Sequence, residues 1–282
     1  MELKLSIASW SFNRLLEAGK HDMFKYIEDS KAFGMSQLDP WNGHLAPLVK
    51  EDEYLKAHDP EATVFSSEIQ RYIARVKAKA DELELPFGCL AVDGAHIYWD
   101  APEERRASRV AAYRWLDVAH TLGAAQVRID AGGPEDMPDD VFAIIVEAYG
   151  DLIRRAGDLG IELLIENHWG PSQHPANLAK ILDAVDGLGL LFDTNNFPAD
   201  QREAAWEQFA PAARSVHVKT FEFDEAGNEK SSDLAKALRL LAAAGYDGAW
   251  GIESYPRDGD EYNGVRMTKA LIERVLQGER HG

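Results

Sequence analysis

Eight short β-rich runs alternate with segments of helical period along nearly the whole chain, and this alternation restricts the possible folds more than any other feature. The runs are Leu3 to Ser9, Met35 to Asp39, Pro86 to Val92, Ala125 to Asp130, Ile161 to Glu166, Leu188 to Asp193, Ser215 to Lys219 and Ala249 to Glu253. Several are continuously apolar, as parallel strands buried on both faces must be. Between them, Ala107 to Leu122, Asp140 to Leu159 and Leu234 to Ala244 place apolar residues on one helical face, and the latter two stop at Gly160 and Gly245. Strands interleaved with helices imply βαβ units. The simplest closed arrangement is a single (β/α)8 TIM barrel over residues 1–282, and 282 residues suffice for one. An open doubly wound sheet is the alternative, but no Gly-x-Gly-x-x-Gly follows the first strand. Residues 14–71 form the irregular part, with one helix expected over His21 to Ala32 and a polar excursion at about 40–66 that either covers the barrel mouth or runs over the surface.

Polar residues interrupt the apolar strands near their C-terminal ends. The fifth run ends in Ile-Glu166-Asn-His-Trp, the sixth in Phe-Asp193-Thr-Asn-Asn, the seventh carries Val-His217-Val-Lys219, and the eighth ends in Gly-Ile-Glu253-Ser-Tyr. A lone strand-end carboxylate is usually a helix cap or ion-pair partner, and a lone strand histidine a satisfied polar residue. In a parallel barrel, however, these four ends meet on one rim. Glu166, Asp193, His217 and Glu253 then make an oxygen-rich set with one nitrogen, suited to one divalent cation such as Mn²⁺, Mg²⁺ or Co²⁺, with Zn²⁺ also admissible. A cation also relieves the cost of burying three carboxylates together.

These residues resemble the xylose isomerase-like sugar isomerases and epimerases, a group that includes ketose 3-epimerases and inosose dehydratases. The similarity runs from Ser6-Ile-Ala-Ser-Trp-Ser-Phe through Glu253, with Ile-Glu166-Asn-His, Phe-Asp193-Thr, Val-His217-Val-Lys and Gly-Tyr246-Asp-Gly…Gly-Ile-Glu253 as its most specific pieces. The resemblance implies that the quartet, spaced by 27, 24 and 36 residues, binds one metal, often manganese. It further implies Glu166 and Glu253 as the acid/base pair of a sugar isomerase or epimerase working through a metal-stabilised enediolate. The alternatives are a dehydratase or other lyase acting on a keto-sugar or inosose, and a sugar-binding barrel without turnover. Many members carry a histidine three residues after the strand-six aspartate; here that residue is Asn196, which cannot exchange a proton near neutral pH.

Around the quartet, Lys219 and Arg128 are expected to point inward, and His168, Trp169, Asn196, Trp10 and Trp41 complete the expected substrate-binding set. Asp39, His44, His96 and Arg257 are also placed on the rim. Ala131-Gly-Gly-Pro134 reads as a turn, with an anion nest as its alternative. The partner expected is a small sugar or polyol, and a homo-oligomer is expected by analogy. A net charge of −18 opposes a phosphate backbone, so nucleic acid is not expected, nor the three-zinc endonucleases that share this fold. There is one cysteine, Cys89, in an apolar stretch that suits a buried inert thiol. Neither a secretory signal nor an apolar run of membrane-spanning length is visible, so a cytoplasmic enzyme without a membrane partner is expected.

Overall fold

Strands this short and this apolar need cover on both faces, and the chain provides it by curling the sheet into a ring. The computed structural model describes residues 3–278. Its strands are β1 (Leu5–Ile7), β2 (Cys89–Val92), β3 (Gln126–Ile129), β4 (Glu162–Glu166), β5 (Gly189–Asp193), β6 (Ala213–Thr220) and β7 (Trp250–Ser254). All pair in parallel, in the order β1-β7-β6-β5-β4-β3-β2. Residues 38–41 close the ring between β1 and β2 through single bridges, Ala8 to Asp39, Leu38 to Phe87 and Trp41 to Ala91. The strand expected over Met35 to Asp39 is therefore shifted towards its C-terminal end and broken into bridges. Pro40 has no N–H to give to a ladder, and only its carbonyl is used, by the Ala91 amide at 2.9 Å. With this segment the architecture is the expected α/β barrel.

The helices are α1 (Asn13–Glu17), α2 (Met23–Ala32), α3 (Ala46–His58), α4 (Ser67–Glu82), α5 (Pro102–Leu122), α6 (Asp139–Asp158), α7 (Pro175–Ala184), α8 (Arg202–Phe209), α9 (Leu234–Ala243) and α10 (Glu261–Gly278). Local chemistry fixes their ends. The Asp22 carboxylate accepts the Lys25 amide at 2.8 Å, so α2 starts after the expected His21. Gly123 ends α5 at φ 76°, a conformation that costs glycine nothing. Val141, Ile145, Ala148 and Leu152 form the buried stripe of α6. The main core lies between strands and helices, with Trp115 and Trp206 among its largest fully buried side chains. No helix among the described residues is long and apolar enough to cross a membrane.

The excursion over 40–66 is more ordered than its polar composition predicts. A 3₁₀ turn at Asn42–His44 leads into α3, whose interior carboxylate Asp52 is buried against Arg114 of α5. Arg114 Nη2 lies 2.6 Å and Nε 3.0 Å from Asp52 Oδ1. Lys56 pairs with Asp52 Oδ2 at 3.1 Å and donates to the Gly94 carbonyl at 3.0 Å. The excursion thus begins at the mouth, with Trp41, and is then clamped against α5. Arg114→Met leaves a buried carboxylate with Lys56 alone. It is expected to cost about 3 kcal/mol, seen as a lower urea midpoint at unchanged slope. Adding Asp52→Asn is expected to restore part of that loss.

Candidate metal centre

The period of two along a strand decides which side chains meet inside the ring. Glu166 and Asp193 are the last residues of β4 and β5, and the register sets Asp193 opposite His217 and Lys219 opposite Glu253. His217 and Lys219 are two apart and share a side. One ligand atom from each of Glu166, Asp193, His217 and Glu253 lies within 4.8 Å of all the others, and all four residues are buried. Gly251 stands across the ladder from His217, and a Cβ there would lie 2.6 Å from the Val216 carbonyl oxygen and 3.2 Å from His217 Cδ2. Only hydrogen fits beside the imidazole.

Asp193 and Glu253 each have a donor within 3.2 Å on one oxygen, and Glu166 has one beside each oxygen. Asp193 Oδ1 accepts the amides of Asn195 and Asn196 at 2.7 and 3.0 Å, and Asn167 grips the Asp193 backbone at both N–H and C=O, 2.8 and 2.9 Å. Lys219 Nζ lies 3.2 Å from Glu253 Oε1 and 3.4 Å from Asp193 Oδ2, and donates to Asn196 Oδ1 at 3.0 Å. Asn196 in turn donates to Glu166 Oε1 at 3.2 Å, while Arg128 Nε sits 3.0 Å from Glu166 Oε2. Among the described residues, Asp193 Oδ2, His217 Nδ1 and Glu253 Oε2 are buried without a hydrogen-bond partner. His217 Nδ1 and Glu253 Oε2 are 2.9 Å apart, an ion-pair distance, but they are not aligned as donor and acceptor. These two carboxylate oxygens and one imidazole nitrogen, once the imidazole gives up its proton, fit a divalent cation, and a Glu166 oxygen could complete the set in place of a present donor. The surrounding amides and cations orient the ligands as metal sites require.

Without a cation, protons and side-chain charges balance the cluster. Burial pushes the Asp193 carboxyl up, and the neighbouring Glu253 and Glu166 add to this against the pull of Lys219, leaving it at about 7. Burial would discharge His217, but the Glu253 and Glu166 carboxylates outweigh it and hold the imidazole at about 10. Burial likewise opposes ionisation of Glu166 and Glu253. Arg128 keeps Glu166 below its ordinary value, and Lys219 with His217 keeps Glu253 well below it. His168, its Nδ1 3.0 Å from Asp130 Oδ2, is held at about 9 against burial by Glu166 and Asp130. Burial raises Asp130 too, yet Arg128 and His168 bring it to about 2.

Arg128, His168, Lys219, Trp10 and Trp41 line the same cavity of about 100 Å³ as Glu166, His217 and Glu253. Trp10 packs on Tyr255 at 4.9 Å between ring centroids, and Trp41 Nε1 donates to Asp93 Oδ2 at 2.7 Å. Asp39 lies on the floor, bonded to Ser6 and to the Cys89 amide. The buried Cys89 thiol is held well above its ordinary pKa by burial and then by Asp39. Other expected rim residues lie outside this cavity: Trp169 is 39% exposed and faces a neighbouring bay with the expected His96, Arg257 is beside Glu222, and His44 is buried against Ser9 and His21. Asp93 and Asp130 are absent from the expected set, although both pair with Arg128 Nη1, at 2.8 and 2.9 Å. Asp130 ends the fourth apolar run and Asp93 follows the third, so the strand-end rule that picked out the quartet also reaches these two.

A second buried chain was not legible from sequence. Trp41 N donates to Ser9 Oγ at 2.8 Å, and Ser9 Oγ lies 3.1 Å from His44 Nδ1. His44 Nε2 is 3.1 Å from His21 Nδ1, and His21 Nε2 is 3.2 Å from Asp29 Oδ2. Burial, and then His21, lowers the His44 pKa to about 3, and burial lowers His21 too, so both rings are neutral. One set of tautomers satisfies every link, with each donor pointing towards Asp29. Three of its four links span 23 to 35 residues, which hides such a chain from any local pattern.

Fold and rim together define a (β/α)8 barrel with a carboxylate–imidazole cluster able to hold a metal ion. The chain belongs to the Xylose isomerase-like TIM barrel family, whose sequence model matches residues 52–274. A search of curated proteins finds no match. Solved structures similar to it include D-allulose 3-epimerase from Methylomonas sp., 15% identical with a TM-score of 0.71 over 97% of this chain and 98% of that one. The IOLI protein with a bound zinc atom is 14% identical, TM-score 0.72, over 98% and 99%. The 3-keto-D-glucoside 4-epimerase YcjR of E. coli is 14% identical, TM-score 0.69, over 97% and 99%. At these identities the likeness establishes the fold.

The charge balance sets a pH dependence. Metal-free His217 and His168, held at about 10 and about 9 against 6.5 unfolded, contribute stability that is complete below pH 6.5 and lost as pH rises through their folded values. Asp193, held at about 7 against 3.8, already loses stability as pH climbs between those values. The melting temperature of chelator-treated protein is therefore expected to fall from pH 6.5 to 9.5. Saturating Mn²⁺ is expected to flatten the curve, and a level metal-free curve would contradict the assignment.

Proposed function

We propose that this chain is a divalent-metal-dependent isomerase or epimerase of a small sugar, ketose or polyol-derived ketone, with Mn²⁺ at Glu166, Asp193, His217 and Glu253. The observation that carries the reading is the convergence of unpartnered, buried Asp193 Oδ2, His217 Nδ1 and Glu253 Oε2 beside Glu166, at a cavity that Glu166, His217 and Glu253 line. A divalent cation held there supplies Lewis-acid polarisation of a substrate carbonyl and the neighbouring hydroxyl.

The chain's own residues supply the rest. Glu166 and Glu253 stand three strands apart around the ring, so they face a bound sugar from different sides. Burial opposes ionisation of both and neighbouring cations restore it, so inversion would need one glutamate to enter the cycle protonated. The ionised one takes the α-proton and the protonated one returns its own, which leaves the pair with the same single proton. Removal and return on opposite faces inverts the stereocentre, whereas delivery to the adjacent carbon exchanges aldose and ketose. Lys219, its Nζ 3.2 Å from Glu253 Oε1, carries the positive charge that steadies a developing oxyanion near that glutamate. Arg128 fixes Glu166 and, with Asp93 and Asp130, anchors the opposite wall. Asn196 orients Glu166 and Lys219 and plays no part in proton transfer. Trp10 and Trp41 give apolar walls to the sugar carbons.

One observation favours dehydration as the second reading. His168 is held at about 9, so at neutral pH an imidazolium lines the cavity and can protonate a departing β-hydroxyl.

Metal analysis by plasma mass spectrometry on protein re-equilibrated with Mn²⁺ is expected to find about one ion per folded chain, as four ligands of this type require. Asp193→Asn and His217→Asn are expected to lose it while remaining folded. Metal-loaded protein incubated in D₂O with a ketose and inosose panel is expected to place deuterium at the carbon next to the carbonyl. His168→Gln is expected to spare that exchange and to abolish any loss of water. A folded wild type that takes up no divalent cation sinks the proposal.

A further inference from the structure

Three rim loops meet beside the metal cavity, following β2, β3 and β4. They approach backbone to backbone: Ile97 N donates to Asp130 O at 3.1 Å and Tyr98 N to Ala131 O at 2.8 Å. Two glycines make this possible. Gly132 has φ +66°, and a Cβ there would lie 2.8 Å from the Tyr98 carbonyl; Gly170 has φ +64°, and its Cβ would lie 2.7 Å from the Gly133 carbonyl. The expected turn at 131–134 is therefore a hinge of close contact between loops, and the clash at both positions is with main chain that cannot step aside.

The loops border a wide-open bay of about 450 Å³ lined by His96, Tyr98, Trp99, Pro134 and Trp169. The His96 ring packs edge-on to Trp169, 4.8 Å between centroids at 88°, and lies 5.7 Å from Trp99 at 31°. Trp169 is one of only three large apolar side chains counted as exposed among the described residues. His96 Nδ1 and Trp99 Nε1 are buried, without a hydrogen-bond partner among those residues. The bay adjoins the metal cavity through shared loops: Asp93 and His168 line the cavity, His96 and Trp169 the bay.

Size and charge say what fits. The metal cavity, at about 100 Å³, is small against the roughly 300–1,000 Å³ of ordinary small-molecule sites, and the bay falls within that range. Among the described residues no lysine or arginine lines the bay and Asp100 does, while the adjacent Arg105 guanidinium is engaged by the Trp99 and Asp100 carbonyls, so a phosphate extension is unfavourable there. Broad aromatic faces with a few polar edges suit the C–H face and hydroxyl rim of a neutral sugar ring.

Building on the metal-dependent sugar reading above, we propose that this bay is a second sugar subsite, and that the natural substrate is a glycoside whose non-reacting ring rests on Trp169 and Trp99 while the reacting ring enters the metal cavity. Calorimetric titration of the Mn²⁺-loaded full chain with glucose, methyl glucoside, maltose, cellobiose, trehalose and sucrose tests this. At least one disaccharide is expected to bind about tenfold tighter than its monosaccharide unit. Trp169→Ala and Trp99→Ala are each expected to bring the disaccharide-to-monosaccharide affinity ratio towards one, and Trp169→Tyr to retain most of it. Equal affinity for one-ring and two-ring ligands across the panel overturns the proposal, as does a ratio untouched by both alanine variants. Metal content, measured on the same samples, keeps the two readings apart: a metal-loaded chain with no disaccharide preference removes the subsite alone.

Discussion

Everything at the rim follows from the mutual repulsion of carboxylates gathered inside a ring of strands. Glu166, Asp193 and Glu253 are nearly inaccessible to water and cannot disperse their charge into it. The chain answers with two permanent cations on opposite walls, Arg128 beside Glu166 and Lys219 between Asp193 and Glu253. Each is itself held charged against burial by the carboxylates it serves. The arrangement is directional, because the donors occupy one oxygen of Asp193 and one of Glu253 and leave Asp193 Oδ2 and Glu253 Oε2 without a hydrogen-bond partner beside the His217 ring. Packing forces, by contrast, only have to keep the strand ends in register, which Gly251 does by leaving room for the His217 ring.

How much of this a reader of the sequence can see depends on the range of the interaction. Strand ends such as Ile-Glu166 and Phe-Asp193 stand out because an apolar run is interrupted locally, and helices such as α6 because their period is local too. Asp130 and Asp93 obey the same rule and are visible once it is applied to every run. The excursion over 40–66 looks irregular because its order comes from elsewhere: Asp52 is polar in its own helix and buried only because Arg114 of α5 reaches it. Trp169 shows the limit in another way. Its neighbour His168 faces the cavity and it turns to the bay, a division that depends on how Gly170 and Gly133 let the loops meet.

The barrel and the site place different demands on the same residues. Each inward strand end must be polar for chemistry, while its strand neighbours, such as Val216 and Val218 on either side of His217, are fully buried hydrophobes. Alternation along the strand keeps the two demands on separate faces. Outside the ring, the buried chain from Trp41 N through Ser9, His44 and His21 to Asp29 gives the mouth a polar footing that no apolar contact provides.

The closure by Pro40 has a mechanical side. A barrel stitched by continuous ladders on every side resists opening everywhere alike, but this one has a seam, residues 38–41, joined to each neighbour by isolated bridges. Trp41, one wall of the cavity, sits on that seam. The seam is nonetheless tied on both sides, by Ser9 N to Asp39 O at 3.1 Å, Leu38 N to Pro86 O and Gly88 N to Leu38 O at 2.8 Å, and Ala91 N to Pro40 O at 2.9 Å, while the ladders from β4 to β7 fix the distances between the acids. Scattered single bonds on one arc and continuous ladders on the other close the same circle.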